Sequence, residues 1–334
     1  MTTVSMRDAR ECLISCYHAN QPAMLTGEPG MGKTATFEAI ARELDIGFID
    51  FRLPLKDPVD VGGMRVPDSA TGKLRWFVPD DLPDPKRDGK KGIILFDEIN
   101  TVAQMMQTTA YGIIQERRIG SWRMAEGWVP MAAGNNVADR AAAQRMSTAL
   151  KGRFMHYNVK PDLEYWIDQF GAEHCDHAGL AFLRFRPNLF HVMPTADQDA
   201  FPSARSWTAA FKFINEKPSL RLRQISAAVG DDAAAELEGF LRIRANAVSL
   251  ADILKDPKGC RLPPANDPGT TYAVAGMLSQ NMTRQNADPI ISYSQRLGQE
   301  YQVLIAHDAF KRDKSIANTA AFGAWAVRNQ EVTL

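Results

Sequence analysis

The sequence carries no surplus of charge of either sign: 39 lysines and arginines stand against 39 aspartates and glutamates in 334 residues. A basic excess is the usual footprint of a nucleic-acid binder, so its absence lowers that reading while leaving room for a local basic groove. Long apolar runs are missing too. None approaches the roughly 18 residues that a membrane span needs, and the opening segment MTTVSMRDARECLISCYHAN has no extended apolar stretch of the signal-peptide kind. Cysteine is scarce. Cys12 and Cys16 lie one helical turn apart, but no matching pair follows to complete a metal site, so these two, Cys175 and Cys260 read as reduced thiols of core or surface. Repeats and low-complexity tracts are absent. What remains is the balance of an ordinary soluble protein, 45% hydrophobic and 23% charged. The length suits about two domains, and the chain reads as cytoplasmic.

Along the chain, residues 5–20 show helical spacing, with Ala9, Cys12, Leu13, Cys16 and Tyr17 on one side and Pro22 as the break. AMLT then reads as a short strand that runs straight into TGEPGMGKT, after which KTATFEAIARELD is helical and GFIDFRL (47–53) is a second strand. Residues 54–91 are irregular, with a hairpin expected over about 64–77 where GMRVP and KLRWF flank DSATG. GIILFDEIN (92–100) has the continuous apolar character of a central parallel strand. A helix over about 102–117, a second hairpin around RMAEG (about 119–128), and the strands VPMAAGNN and MHYNV complete the α/β part. From 161 onward helical periods dominate, with a Pro/Gly-rich break at 255–269 and further helices over 270–285, 289–308 and 316–329. The expected organisation is an α/β nucleotide-binding domain over 1–160, a helical subdomain over 161–250 and a helical C-terminal extension over 251–334.

The stretch Gly27-Glu28-Pro29-Gly30-Met31-Gly32-Lys33-Thr34 fits G-x-x-x-x-G-K-[ST], and it stands between a strand and a helix, the context this pattern requires. Its glycines let backbone N–H groups turn inward around phosphate oxygens, and the helix adds its positive end. Lys33 can reach the terminal phosphates and the Thr34 hydroxyl can hold Mg²⁺. Asp97, at the end of an apolar strand, is placed to hold the same metal, and Glu98 beside it is the candidate general base for an attacking water. A kinase whose nucleophile is its substrate needs no such base, so the pair predicts hydrolysis of a nucleoside triphosphate. Asn135 and Asn136 end the strand PMAAGNN. We assign Asn135 to a place beside the terminal phosphate and Asn136 to the turn.

Taken together, GEPGMGKT, LFDEIN, AAGNN, ALKGRF and PSAR resemble, in that order and spacing, the AAA+ ATPases, and more narrowly their MoxR-like branch. The resemblance covers about residues 10–220, and DPVDVGG (57–63) is similar to a segment of the same branch. It implies a P-loop NTPase fold with a parallel central sheet and a helical lid, ATP with Mg²⁺ as ligands, Asn135 as the sensor-1 residue and Arg205 as the sensor-2 arginine of the lid. It implies that Arg153 is the arginine finger reaching into a neighbouring subunit's site, with Arg140 and Arg145 as rivals, and hence a ring oligomer, usually a hexamer. The two hairpins resemble the inserts that line or cap the ring pore, which offers Trp76, Phe77 and Trp122 as working surface aromatics or as ordinary packing. The client implied is a protein, typically one with a von Willebrand factor A domain. The alternative is a nucleic-acid-translocating motor of a restriction or replication system, for which Arg65, Lys73, Arg75, Arg118 and Arg123 lie on the hairpins. A third reading is a scaffold in which nucleotide only sets assembly; an intact Glu98 argues against it. The sensor strand departs from the Gln-Asn-Pro of many MoxR-type proteins, and the chain beyond about 250 matches no family pattern.

Overall fold

Six strands, three of them (AMLTG, KGIILFD and GWVPMAAGN) built on apolar runs, assemble into one sheet in the computed structural model, which describes residues 2–136, 146–194, 198–245 and 247–329. The chain divides into two units, Met1–Asp162 and Leu163–Leu334. In the first, the elements run β1 (Thr2–Val4), α1 (Met6–His18), β2 (Ala23–Gly27), α2 (Lys33–Glu43), β3 (Gly47–Arg52), α3 (Pro58–Gly62), β4 (Met64–Asp68), β5 (Lys73–Phe77) and β6 (Lys91–Asp97). They continue with α4 (Gln104–Glu116), β7 (Arg118–Ile119), β8 (Trp122–Arg123), β9 (Gly127–Asn135), α5 (Thr148–Lys151) and β10 (Met155–Val159). The sheet order is β1-β10-β2-β9-β6-β3, with every neighbouring pair parallel. All five residues of β2 are buried, as are six of the seven in β6, because helices cover both faces of such a sheet. The expected parallel-sheet core is therefore present, and β1 adds an edge strand too short for its pattern to be read in sequence.

The register decides what the sheet presents. Gly27 of β2 pairs with Asn135 of β9, and Arg52 of β3 pairs with Asp97 of β6. The C-terminal ends of four strands thus converge at one end of the sheet, beside the start of α2. Below them Met24, Phe96, Ile113, Ile114 and Trp128 belong to one buried cluster. The first hairpin forms as expected, with Met64 opposite Phe77. The second differs. Ile119 pairs with Trp122 across Gly120 and Ser121, so RMAEG lies at and beyond the hairpin's second strand, not in its turn. Gly120 sits at φ +52°, the left-handed conformation that a two-residue hairpin turn uses.

The second unit is helical: α6 (Leu163–Trp166), a π-helical turn (Ile167–Gly171), α7 (Ala172–His174), α8 (His177–Phe185), α9 (Ala204–Ala210), α10 (Pro218–Val229) and α11 (Asp231–Ala245). Then come α12 (Leu250–Lys255), α13 (Pro268–Asn281), α14 (Ala287–Ser294), α15 (Gln299–Arg312) and α16 (Ala320–Arg328). One buried cluster gathers Phe182, Trp207, Leu237 and Phe240; another gathers Ile253, Leu278, Ile290, Tyr293 and Trp325. The single helix expected over 289–308 is two helices, parted at Gln295–Gly298. There Arg296 donates to the carbonyls of Pro257 and Cys260, at 2.9 and 2.8 Å, and Gly298 opens the next helix. No helix among the described residues is long and apolar enough to cross a membrane.

A partly buried ion cluster joins α6, α8 and α15. Arg184 donates to Glu164 at 3.0 Å and to Asp308 at 2.5 Å. Burial pushes the Asp308 carboxyl up, but the His307 hydrogen bond and the Arg184 charge together hold it below the usual carboxylate value. A carboxyl with its folded pKa below its unfolded one adds stability above the unfolded value, near pH 4, and loses it as pH falls further. Asp308→Asn is expected to lower stability at neutral pH by about 3 kcal/mol, because Arg184 keeps only the exposed Glu164 as a charged partner. The difference between wild type and variant in chemical denaturation should shrink as pH is lowered below 4; a pH-independent difference would remove this linkage.

Candidate active site

The loop from β2 to α2 owes its shape to Gly30 and Gly32, at φ +80° and +85°, which other residues adopt only with strain. Gly32 also begins α2, with no side chain to cap it, and the first turn of the helix holds no acidic residue. Such a helix start favours an anion on its N–H groups. Lys33 is buried, and its Nζ donates to the carbonyls of Gly27 (2.9 Å) and Glu28 (2.8 Å) and to Asn135 Oδ1 (3.0 Å). Three acceptors for three N–H donors compensate the burial of an ammonium group. Pro29, Gly30 and Met31 complete the loop, with Met31 buried.

Thr34 and Asp97 are 63 residues apart, yet the Thr34 hydroxyl donates to Asp97 Oδ2 at 2.6 Å. Asp97 Oδ1 accepts the Glu98 N–H at 2.9 Å. A hydroxyl beside a carboxylate is a hard-oxygen pair that fits Mg²⁺, an ion that retains waters and takes one or two protein ligands in addition to phosphates. No group of three or more His, Cys, Asp or Glu side chains suited to a metal occurs among the described residues. Glu98 leaves the strand. It is exposed, at φ +54°, in a turn closed by the Thr101 N–H on its carbonyl at 2.9 Å. A non-glycine residue held there costs about 1–3 kcal/mol, a strain that accumulates at functional sites. Arg52, one strand over and in register with Asp97, was not signalled by any motif. The hydrogen bond and charge of Asp50, at 2.7 Å, raise its pKa first, and the charges of Asp97 and Glu98 add to that.

Of the two asparagines, Asn135 is the one that reaches Lys33; Asn136 follows the last strand residue. The site therefore brings together Gly27, Glu28, Lys33, Thr34, Asp97, Glu98 and Asn135 from three strands and one helix. It does not include Arg153. That residue precedes β10, whose first pair is Met155 with Ala23, while the loop follows the far end of β2. At about 3.3 Å per residue, the run of β2 from Ala23 to Gly27 alone spans roughly 13 Å, and Arg153 lies in the turn beyond its Ala23 end. Arg153 donates to the Tyr111 hydroxyl at 3.1 Å, and its guanidinium lies 5.7 Å from that ring. Arg140 and Arg145 lie outside the described residues. Arg205 is exposed in the first turn of α9, whose start is fixed by reciprocal hydrogen bonds between Ser203 and Ser206.

The hairpin aromatics divide. Trp76 is half-buried, donates to the Gly62 carbonyl at 3.2 Å and packs over Gly120 of the second hairpin, with Arg65 above its ring at 4.8 Å. Trp122 packs against the buried cluster of the first unit. Phe77 is 54% exposed and Leu74 62%.

Residues 23–116, which hold the loop, α2, both hairpin strands β4 and β5, β6 and α4, match the family described as ATPase family associated with various cellular activities (AAA). No curated protein matches the sequence. Among solved structures, the chain is similar to NtrX from Brucella abortus, at 14% identity and a TM-score of 0.40 over 99% of this chain and 68% of the other. It is also similar to a presumed ATPase from Cytophaga hutchinsonii, at 14% identity and a TM-score of 0.38 over 92% and 81%. A mutant form of RuvB from Thermotoga maritima gives 15% identity and 0.35 over 75% of each chain. Likenesses this low add nothing to the reading of the site, which rests on the family match and the geometry. The chain carries an AAA ATPase domain on a P-loop α/β fold and is an ATP-hydrolysing enzyme.

Proposed function

We propose that this chain is a MoxR-like AAA+ ATPase that works as a ring, with six subunits the number the resemblance implies, and uses ATP hydrolysis to remodel or activate a partner protein. The observation that carries the reading is the place of Arg153, at the end of the sheet away from its own loop but in the family's finger motif. A guanidinium there serves a neighbour's site, where it would offset charge developing on the transferred phosphoryl group. Within one subunit, Lys33 would bind the terminal phosphates, Glu98 would take the proton of the attacking water, and Asn135 would orient Lys33 and that water. Arg205 is assigned to the sensor-2 position of the lid. Thr34 and Asp97 would hold Mg²⁺, which when bound supplies positive charge to the phosphate oxygens. The four free cysteines suit a cytoplasmic setting.

Two features support a protein client: the neutral net charge, and the exposed Leu74 and Phe77 of the first hairpin. A partner with a von Willebrand factor A domain is the client we favour. The test of the shared site is subunit mixing. Arg153→Ala and Lys33→Ala chains are each expected to be inactive, and their mixture to regain activity, because the second supplies the arginine and the first the intact loop. A mixture that stays inactive while assembling normally would remove the trans role. ATPase stimulation by DNA, falling steeply with salt, would instead favour the nucleic-acid motor.

A further inference from the structure

Asn100 is buried, 4% exposed, three residues past Asp97, and none of the roles above uses it. Its side-chain amide makes two hydrogen bonds to the backbone of one residue. Nδ2 donates to the Asn135 carbonyl at 2.6 Å, and Oδ1 accepts the Asn135 N–H at 3.2 Å. This is the pairing that backbone gives backbone in a sheet, made by a side chain after β6 has turned away. The last ladder pair of the two strands is Phe96 with Ala132. Ile99 N–H then reaches the Ala133 carbonyl at 3.2 Å, and the Asn100 amide carries the ladder on to Asn135. On its other side Asn135 pairs with Gly27, so it is held from both directions while its own Oδ1 meets Lys33.

The fit leaves no slack. A Cβ on Gly134 would lie 2.4 Å from Asn100 Oδ1, so the residue before Asn135 has to be glycine for the amide to approach. Asn100 also belongs to the turn that carries Glu98. The Thr101 N–H and hydroxyl both donate to the Glu98 carbonyl at 2.9 Å, with Asn100 between the two residues. One amide therefore ties the Glu98 turn to the strand end that holds Asn135 and Lys33.

We propose that Asn100 is a positioning residue for ATP hydrolysis, setting Glu98 relative to the Lys33–Asn135 contact through its paired hydrogen bonds to the Asn135 backbone. This rests on hydrolysis at the site and not on the ring or the client. An aspartate at 100 cannot serve, since it places an acceptor against the Asn135 carbonyl.

The test measures kcat and KM for ATP on the full chain, with the Kd of a fluorescent ATP analogue, for Asn100→Ala, Asn100→Asp, Gly134→Ala and the Asn100→Ala/Gly134→Ala pair. Misplacement of about 1 Å at a reacting centre can cost about 100-fold, so each single variant is expected to lower kcat by about 10- to 100-fold. The analogue Kd should stay within about threefold, the signature of a group that acts on turnover and not on ground-state binding. The double variant should be no slower than Asn100→Ala, because both changes act on one contact. Wild-type kcat in Asn100→Ala or in Gly134→Ala overturns the proposal, as do losses that multiply in the double variant. Should Asn100→Ala fail to fold, Gly134→Ala decides alone: it keeps the asparagine and displaces its amide, the added Cβ otherwise meeting only the flexible end of Met24, at 2.9 Å.

Discussion

Glu98→Gln is expected to bind ATP with unchanged affinity and to hydrolyse it about 100- to 10,000-fold more slowly, the range a positioned general base contributes. The substitution preserves size and keeps the N–H that Asp97 accepts at 2.9 Å, so the Thr34–Asp97 pair and the turn are left as they are. What it removes is an oxygen able to take a proton. Glutamine at φ +54° is no more strained than glutamate, which separates the chemical effect from a folding one. Single-turnover phosphate release at saturating ATP, beside an equilibrium binding measurement, reads both quantities. Turnover equal to wild type would return the chain to the scaffold reading, in which nucleotide serves assembly alone. The same variant, held with ATP bound, is the form in which a tagged chain should retain its client.

Lys33→Ala is expected to lose ATP binding and turnover together, by at least about 100- to 1,000-fold in kcat/KM, on the scale of one preorganised charge-stabilising donor. It also leaves the Gly27 and Glu28 carbonyls and Asn135 Oδ1 without their shared donor, at about 1–3 kcal/mol for a buried acceptor that finds no water. The variant should therefore melt at a lower temperature even without nucleotide. Lys33→Arg should rescue neither property, since a planar guanidinium cannot donate to three acceptors converging on one point. Near-normal ATP binding by the arginine variant would sink the view that Lys33 acts as a compact charge fixed by those three oxygens.

Much of this site is legible in the chain because its parts are local. The left-handed glycines of the loop, the lysine at the helix start and the apolar strand ending in Asp97 are each encoded within a few residues, where backbone conformation and burial respond to immediate neighbours. The limits appear where one segment must meet another. The turn of the second hairpin fell at Gly120–Ser121 and not within RMAEG, because both stretches carry turn residues and strand pairing chose between them. The break at Gln295–Gly298 depends on Arg296 reaching carbonyls nearly 40 residues away, which no helical period reveals.

By itself, then, the sequence determined the phosphate loop, the acidic strand end, the alternation of strands and helices up to 159, and the helical character beyond. Tertiary structure decided which residues share the site. Parallel order put β9 between β2 and β6, and only that neighbourhood sets Asn135 against Lys33 and lets Asn100 finish the ladder beside Gly134. It also carried Arg153 to the far end of the sheet, out of reach of the loop in its own chain. The physical reason is the same in each case. Conformation is written by neighbours in sequence, whereas register and strand order are set by burying apolar faces and satisfying backbone hydrogen bonds across the whole sheet.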